Sequence, residues 1–220
     1  MVNSIGRRRL LARSGATPAY SERRELLLAS AAEVFKQKGL QGASINDISE
    51  RLGGDRASIY YYYKNKHEIF IDLIMRSVEE VVLLAETIAS SDEPTLDRLE
   101  HVLRSTMAAY ERHHPYMFVY IQEDMRKVMA GEGGEAVTEL KQLGDRYEGA
   151  LAKIIADGVA AGELPSTLDQ QVFRFAVIGA LNWSHRWYVP GRRLTGDAIG
   201  RNLADVFLNG VRAQPRPESG

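Results

Sequence analysis

Four successive tyrosines at 60–63, preceded by Arg56, Ala57 and Ser58 and followed by Lys64 and Lys66, are the most chemically distinctive run in this 220-residue chain. Phenol and serine hydroxyls donate to phosphate oxygens or meet base edges, and a tyrosine ring or alanine methyl packs on a thymine methyl. Gathered on one helix, such side chains suit the major groove of DNA, about 12 Å wide. At about 3.6 residues per turn, Ile59 and Tyr63 share one side and should be buried. Ala57, Ser58 and Tyr61 centre the opposite side and should meet base edges, while Arg56, Tyr60 and Tyr62 on the shoulders should meet phosphates. Four consecutive rings cannot all point inward on a helix, so the run has to present some of them to a partner.

The flanking residues predict the elements that hold this helix. From Ser21, the apolar positions Leu27, Leu28, Ala31, Val34 and Phe35 recur at helical spacing until Gly39, which predicts a first helix over 21–38. Ser44 with Asp47 resembles a capping box, and Ile45, Ile48 and Leu52 give a second helix its buried stripe. Gly53 and Gly54 break that helix, and Asp55 is placed to cap the tyrosine-bearing third helix. A helix over 66–89 then leads onward, followed by helices over 95–112, 115–130, 135–161, 168–188 and 195–211, separated by short polar or glycine-rich breaks. The reading is all-α, with about nine helices and no alternating strand pattern.

Residues 23–75 resemble the DNA-binding domain of the TetR family of transcriptional regulators. The resemblance is carried by AAEVFKQKG at the end of the first helix and by SINDISERLGGDRASIYYYYKNKHEIF across the next elements. It implies DNA contacts from Ser44, Arg56, Ala57, Ser58, Tyr60, Tyr61, Tyr62 and Lys66. The turn departs from the family pattern, which has a small apolar residue and then serine where Gly54 and Asp55 stand here. Asp55 is therefore assigned to capping and not to phosphate. The expected layout is a basic N-terminal arm over 1–19, a helix-turn-helix domain over 20–66, a ligand-binding and dimerisation domain over 67–213 and a disordered tail over 214–220. Arg7, Arg8, Arg9 and Arg13 of the arm are candidates for reaching along the phosphates.

Charge is divided in the same way: residues 1–70 hold 12 Lys+Arg against 7 Asp+Glu, and the remainder holds 16 against 22. A basic head on an acidic body points to a polyanionic partner for the head alone. Zero cysteines exclude a disulfide framework and a thiolate metal site. The start of the chain lacks the apolar run of a signal peptide or membrane span, so a cytoplasmic protein without a membrane partner is expected.

The body invites two further expectations. The helix over 168–188 is apolar on nearly every side, with Val172, Phe173, Phe175, Val177, Ile178, Leu181 and Trp183, so it needs partners on more than one face. Paired with the helix over 195–211, it should form a twofold four-helix contact, as relatives of the resembled family do, and the homodimer should read a roughly palindromic double-stranded operator. Met107, Tyr110, Phe118, Ile121 and Met125 form a soft aromatic and methionine set suited to a bulky apolar effector, or ordinary core. The segment GALNWSHRWYVPG at 179–191 resembles one found in TetR regulators that respond to acyl-CoA thioesters. Trp183 and Trp187, four apart on one helical face, either anchor the dimer or close the pocket floor, or else line an acyl tunnel. Arg104, Arg112, Arg126, Lys127 and Arg186 are the cations from which a CoA phosphate site would be drawn.

No enzyme site assembles, because His113 and His114 diverge on a helix and neither a phosphate-cradling glycine loop nor a nucleophile motif is present. No cofactor is expected. The alternatives are a drug-efflux regulator sensing hydrophobic drugs, or a helical ligand-binding or interaction protein without DNA affinity.

Overall fold

The structure, a computed structural model, describes residues 18–123 and 134–211, and among these it contains nine α-helices, one 3-10 turn and no strand. The helices are α1 (Pro18–Gly42), α2 (Ile45–Leu52), α3 (Arg56–Tyr62), α4 (Lys66–Ala89), α5 (Thr95–Arg112), α6 (Tyr116–Gln122), α7 (Gly134–Ala160), α8 (Gln170–Trp183) and α9 (Gly196–Val211). The chain forms two compact units: residues up to 76 together with 115–139, and residues 77–114 together with 140 onward. The arm over 1–17, residues 124–133 and the tail from 212 lie outside the described residues. None of the described helices is long and apolar enough to cross a membrane.

In the first unit, local chemistry sets each helix end. The helical run of α1 is broken at Gly39, which adopts φ 67° and so takes a conformation that a side chain would strain. Ser44 caps α2 in the reciprocal box the sequence suggests: its hydroxyl accepts from the Asp47 amide, and the Asp47 carboxylate accepts from the Ser44 amide at 2.9 Å. Gly53, at φ 68°, closes α2 in the left-handed conformation. Asp55 then caps α3 by accepting from the Ser58 amide at 2.7 Å.

Ile59, Tyr63, Phe35, Phe70, Ile69 and Ile74 are fully buried in one core, with the Phe35 and Phe70 rings meeting edge to face at 5.9 Å. The Tyr63 hydroxyl donates to Asp72 on α4, and Arg24 on α1 grips the same carboxylate through Nε at 3.1 Å and Nη2 at 2.6 Å. Burial, and then the neighbouring Asp72, push the Tyr63 phenol well above its ordinary range, so it stays a neutral donor.

The helix expected over 115–130 ends at Gln122, and Glu123 is already extended at φ −84°, ψ 145°. The side chains of both residues are turned onto α1. The Gln122 side-chain amide donates to the Phe35 carbonyl at 3.0 Å, and the Glu123 carboxylate accepts from the Leu40 amide at 2.6 Å.

The second unit is built on α5, with Leu99, Val102, Leu103 and Met107 buried against its neighbours. α9 packs closely on α5: a Cβ at Gly196 would stand 2.2 Å from the Met107 carbonyl oxygen, and one at Gly200 would stand 2.5 Å from the Arg104 Cα. Arg98, nearly fully buried, donates through Nη1 to the Ala89 carbonyl and Asp157 and through Nη2 to Thr95, while its Nε finds no partner among the described residues. The helix expected over 168–188 is trimmed at both ends. Asp169 caps it by accepting from the Gln171 and Val172 amides, and a 3-10 turn at Ser184–Arg186 replaces its last turn. Trp183 and Trp187 therefore do not share a face of one continuous helix.

Two outcomes follow. Asp72→Ala strips the partner from both Arg24 and the buried Tyr63 hydroxyl, and should lower stability by about 2 kcal/mol. The check is the urea midpoint, which should fall with the slope unchanged. Asp47, hydrogen-bonded first by Lys38 and then by Ser44, is held at about 2, below its ordinary 3.8. A depressed carboxyl stabilises the fold fully above the ordinary value, and that contribution is lost as pH falls towards about 2. Asp47→Asn should therefore make the decline of the urea midpoint across that acidic window shallower than in the wild type.

Candidate nucleic-acid interface

The two ends of α3 are fixed and one of its sides is presented to solvent. Ile59 and the following Tyr63 are buried, whereas Arg56, Ala57, Tyr60 and Tyr61 are exposed, the two tyrosines at 43% and 44%. Ser58 and Tyr62 are half-buried. The Ser58 hydroxyl donates to the Asp55 carbonyl at 2.8 Å, which leaves its lone pairs as acceptors for a base amino group. Burial, with Tyr20 and Tyr61 alongside, raises the Tyr62 phenol above its ordinary value. A neutral phenol is the form that can donate to a phosphate.

Two residues named from the resemblance are occupied within the fold. The Ser44 amide and hydroxyl both donate to Asp47, so neither has a proton left for a phosphate. Lys66 Nζ donates to the Gln41 and Ala43 carbonyls, each at 2.9 Å, and so ties the end of α1 to the start of α4. These bonds brace α2 and α4 around α3.

Tyr20, in the first turn of α1, was not anticipated from the sequence. Its ring centroid lies 4.8 Å from that of Tyr62 and 6.3 Å from that of Tyr61, and the latter two rings meet edge to face at 5.2 Å. Forty residues of separation left no local spacing signal by which to find it.

The effector candidates divide between the units. Met107 and Tyr110 are buried in α5 of the second unit, where Tyr110 lies 5.7 Å from Tyr188 and 6.0 Å from His114 by ring centroids. Burial pushes the Tyr110 phenol above its ordinary value, and its hydroxyl finds no hydrogen-bond partner among the described residues. Phe118 and Ile121 belong to α6 in the first unit, with Lys36 Nζ 5.9 Å from the Phe118 ring centroid. Met125, Arg126 and Lys127 lie outside the described residues. Arg104 is engaged with Asp197 and Glu100, and Arg112 with Glu80, while Arg186 stacks on Trp183 at 5.5 Å.

The tryptophans mark a surface instead. Along α8, Val172, Phe175, Ala176, Gly179, Asn182 and Trp183 are exposed, and their spacing of three and four places them on one face. Phe173, Val177 and Leu181 form the opposite, buried stripe. Val172 is 64% and Trp183 61% exposed, and Trp187 beyond the 3-10 turn is 51% exposed. A helix apolar on its outer face as well as its inner one has a contact still to make.

Comparison with known proteins agrees with these features. Residues 27–73 match the family described as bacterial regulatory proteins, tetR family, and residues 92–211 match the tetracyclin repressor-like C-terminal domain. The chain is 27% identical over 192 residues to the HTH-type transcriptional repressor KstR2 of Mycobacterium tuberculosis, an alignment that spans 87% of this chain and 94% of that one. The structure of the ketosteroid transcriptional regulator KstR2 of the same organism superposes with a TM-score of 0.78 at 22% identity, covering 87% of this chain and 96% of that one. AibR in complex with isovaleryl coenzyme A and operator DNA superposes with a TM-score of 0.68 at 18% identity, covering 86% and 98%. With its reading helix displayed at one end of the sequence and its apolar α8 face at the other, the chain belongs to the TetR family of bacterial transcriptional regulators.

Proposed function

We propose that this regulator is a homodimeric repressor that sets α3 of each subunit into successive major grooves of a palindromic operator and leaves the DNA when a bulky acyl effector occupies its second unit. The observation that carries the DNA reading is the outward face of a helix held at both ends. Asp55 caps its start, Tyr63 buries its end, and Arg56, Ala57, Tyr60 and Tyr61 remain presented. Ala57, Ser58 and Tyr61 address base edges, and Arg56, Tyr60 and Tyr62 address the phosphates on either side.

Dimerisation uses the outer face of α8, where Gly179 has nothing within 4 Å of its Cβ position and lets a partner helix approach closely. Two reading helices at a helical-turn spacing multiply the discrimination available to one.

The effector class is supported by the apolar, tyrosine-bearing interior around Met107 and Tyr110, by the segment at 179–191, and by the acyl-CoA bound in AibR. α4 runs unbroken from Lys66 to Ala89, so a tilt of this helix is the covalent route from an occupied second unit to the reading helix. Linkage is reciprocal: an effector that weakens DNA binding must itself be bound more weakly by the DNA complex, with a coupling of about 1–3 kcal/mol in an ordinary switch.

Tyr61→Ala should weaken operator binding by about 1 kcal/mol or more and flatten the preference over scrambled duplex, with helical circular dichroism unchanged. Competition gel shifts measure both. Paired Val172→Glu and Phe175→Glu substitutions should convert the dimer to a folded monomer in sedimentation and abolish stable operator binding. A dimer that survives both changes places the twofold contact elsewhere. In gel-shift titrations, acyl-CoA thioesters of increasing chain length should release the operator where free coenzyme A does not. If neither thioesters nor free fatty acids act, the effector class is wrong.

A further inference from the structure

The first turn of α1 lies against the reading helix, although it is separated from it by the whole of α1 and α2 in sequence. Tyr20 packs its ring against Tyr61 and Tyr62, as described above. Three residues on, the exposed Arg23 extends across the α2–α3 turn, and its Nη2 lies 3.3 Å from where a Cβ of Gly54 would stand. Its charge also acts on Tyr62, drawing that phenol down against the larger effects of burial and neighbouring rings.

The adjacent arginine has a different task. Arg24 is spent on Asp72, inside the unit. Lys66, named for a phosphate by family resemblance, is turned to the carbonyls of α1. Of the exposed cations near α3, which include Arg56 and Lys64, Arg23 is the one that lies against the α2–α3 turn.

The departure of the turn from its family pattern at Gly54 falls at the same place. A Cβ at position 54 would come within a tight 3.3 Å of Arg23 Nη2 and in ordinary contact, at 3.5 Å, with Ser58 Oγ. Glycine leaves that space to the arginine.

We propose that the first turn of α1 is a second DNA-contacting element. In it, Arg23 takes a backbone phosphate beside the groove that α3 enters, and Tyr20 is a positioning residue that fixes the rings of Tyr61 and Tyr62. The inference rests on α3 being the helix that enters DNA. A guanidinium in fork geometry suits phosphate oxygens, and the contact carries charge but no sequence information. A ring wedged against two others limits their rotamers, so Tyr20 acts on base discrimination without touching a base.

The test uses the full-length dimer and a duplex recovered by selection from a randomised pool with wild-type protein. Affinity is measured from 50 to 200 mM salt. Arg23→Gln, which removes one phosphate contact from each subunit, should reduce the slope of log K against log salt by about 1.8 and weaken binding about 25-fold to 100-fold at 0.1 M salt. The ranking of variant duplexes should not change. Arg23→Lys should keep the slope. Tyr20→Leu should leave the slope intact and blur the ranking of duplexes as Tyr61→Ala does, and Tyr20→Phe, which keeps the ring, should restore it.

An unchanged slope in Arg23→Gln overturns the phosphate contact, and an unchanged ranking in Tyr20→Leu overturns the positioning role. Either result alongside a normal Tyr61→Ala defect leaves α3 as the reading helix and removes only this inference. A wild-type protein that enriches no duplex removes both together.

Discussion

The carboxylate of Asp72 is the point on which the DNA-facing half of the molecule turns. It receives two hydrogen bonds from Arg24 on α1 and one from Tyr63, the residue that ends α3. α1, α3 and α4 are thereby joined through one side chain in a partly buried place, where a charge-assisted bond is worth more than at the surface. A helix of seven residues, α3 has almost no stability of its own. It persists because Asp55 accepts from the Ser58 amide in its first turn, Ile59 is buried beneath it and Tyr63 is tied to Asp72. The outward face can then be given over to polar and aromatic side chains that add nothing to the core.

This division explains why so much of the head was legible in the sequence. Ile59 and Tyr63 fall on one side of a helical wheel whatever surrounds them, and the caps at Ser44 and Asp55 are set by neighbours three residues away. The limits of α4 and α5 follow from equally local signals: Ser-Ser-Asp-Glu-Pro at 90–94 and the adjacent histidines at 113–114. What could not be read is what depends on distant partners. Lys66 looked like a phosphate ligand because lysine near a reading helix often is one. Only the fold shows that the carbonyls of Gln41 and Ala43 converge on its amine. Tyr20 and Arg23 were invisible for the same reason: nothing in linear spacing brings residue 20 to residue 62.

In the second unit the sequence was right about excess apolarity and imprecise about its distribution. The stretch over 168–188 was seen to need partners on several faces, and α8 has a buried stripe at Phe173, Val177 and Leu181 opposite an exposed apolar one. The tryptophans, however, were placed on one helix by assuming an unbroken 3.6-residue period. The 3-10 turn at Ser184–Arg186 interrupts that period and moves Trp187 off it. Of the soft residues grouped as one set, Met107 and Tyr110 belong to the second unit and Phe118 and Ile121, on α6, to the first, a tertiary assignment that periodicity does not encode.

That assignment of α6 suggests where the head is most open to control. The break at the end of α1 is closed from two directions: Glu123 and Gln122 bond the Leu40 amide and the Phe35 carbonyl, across sequence separations of 83 and 87 residues, and Lys66 bonds the Gln41 and Ala43 carbonyls. These are side-chain caps on a helix end, and such caps are worth about 1 kcal/mol each. That is the size of an ordinary coupling energy between two sites. A displacement of α6 or of the start of α4 therefore need not unfold anything to matter. Each of these bonds is by itself of the size that a switch between two states has to move.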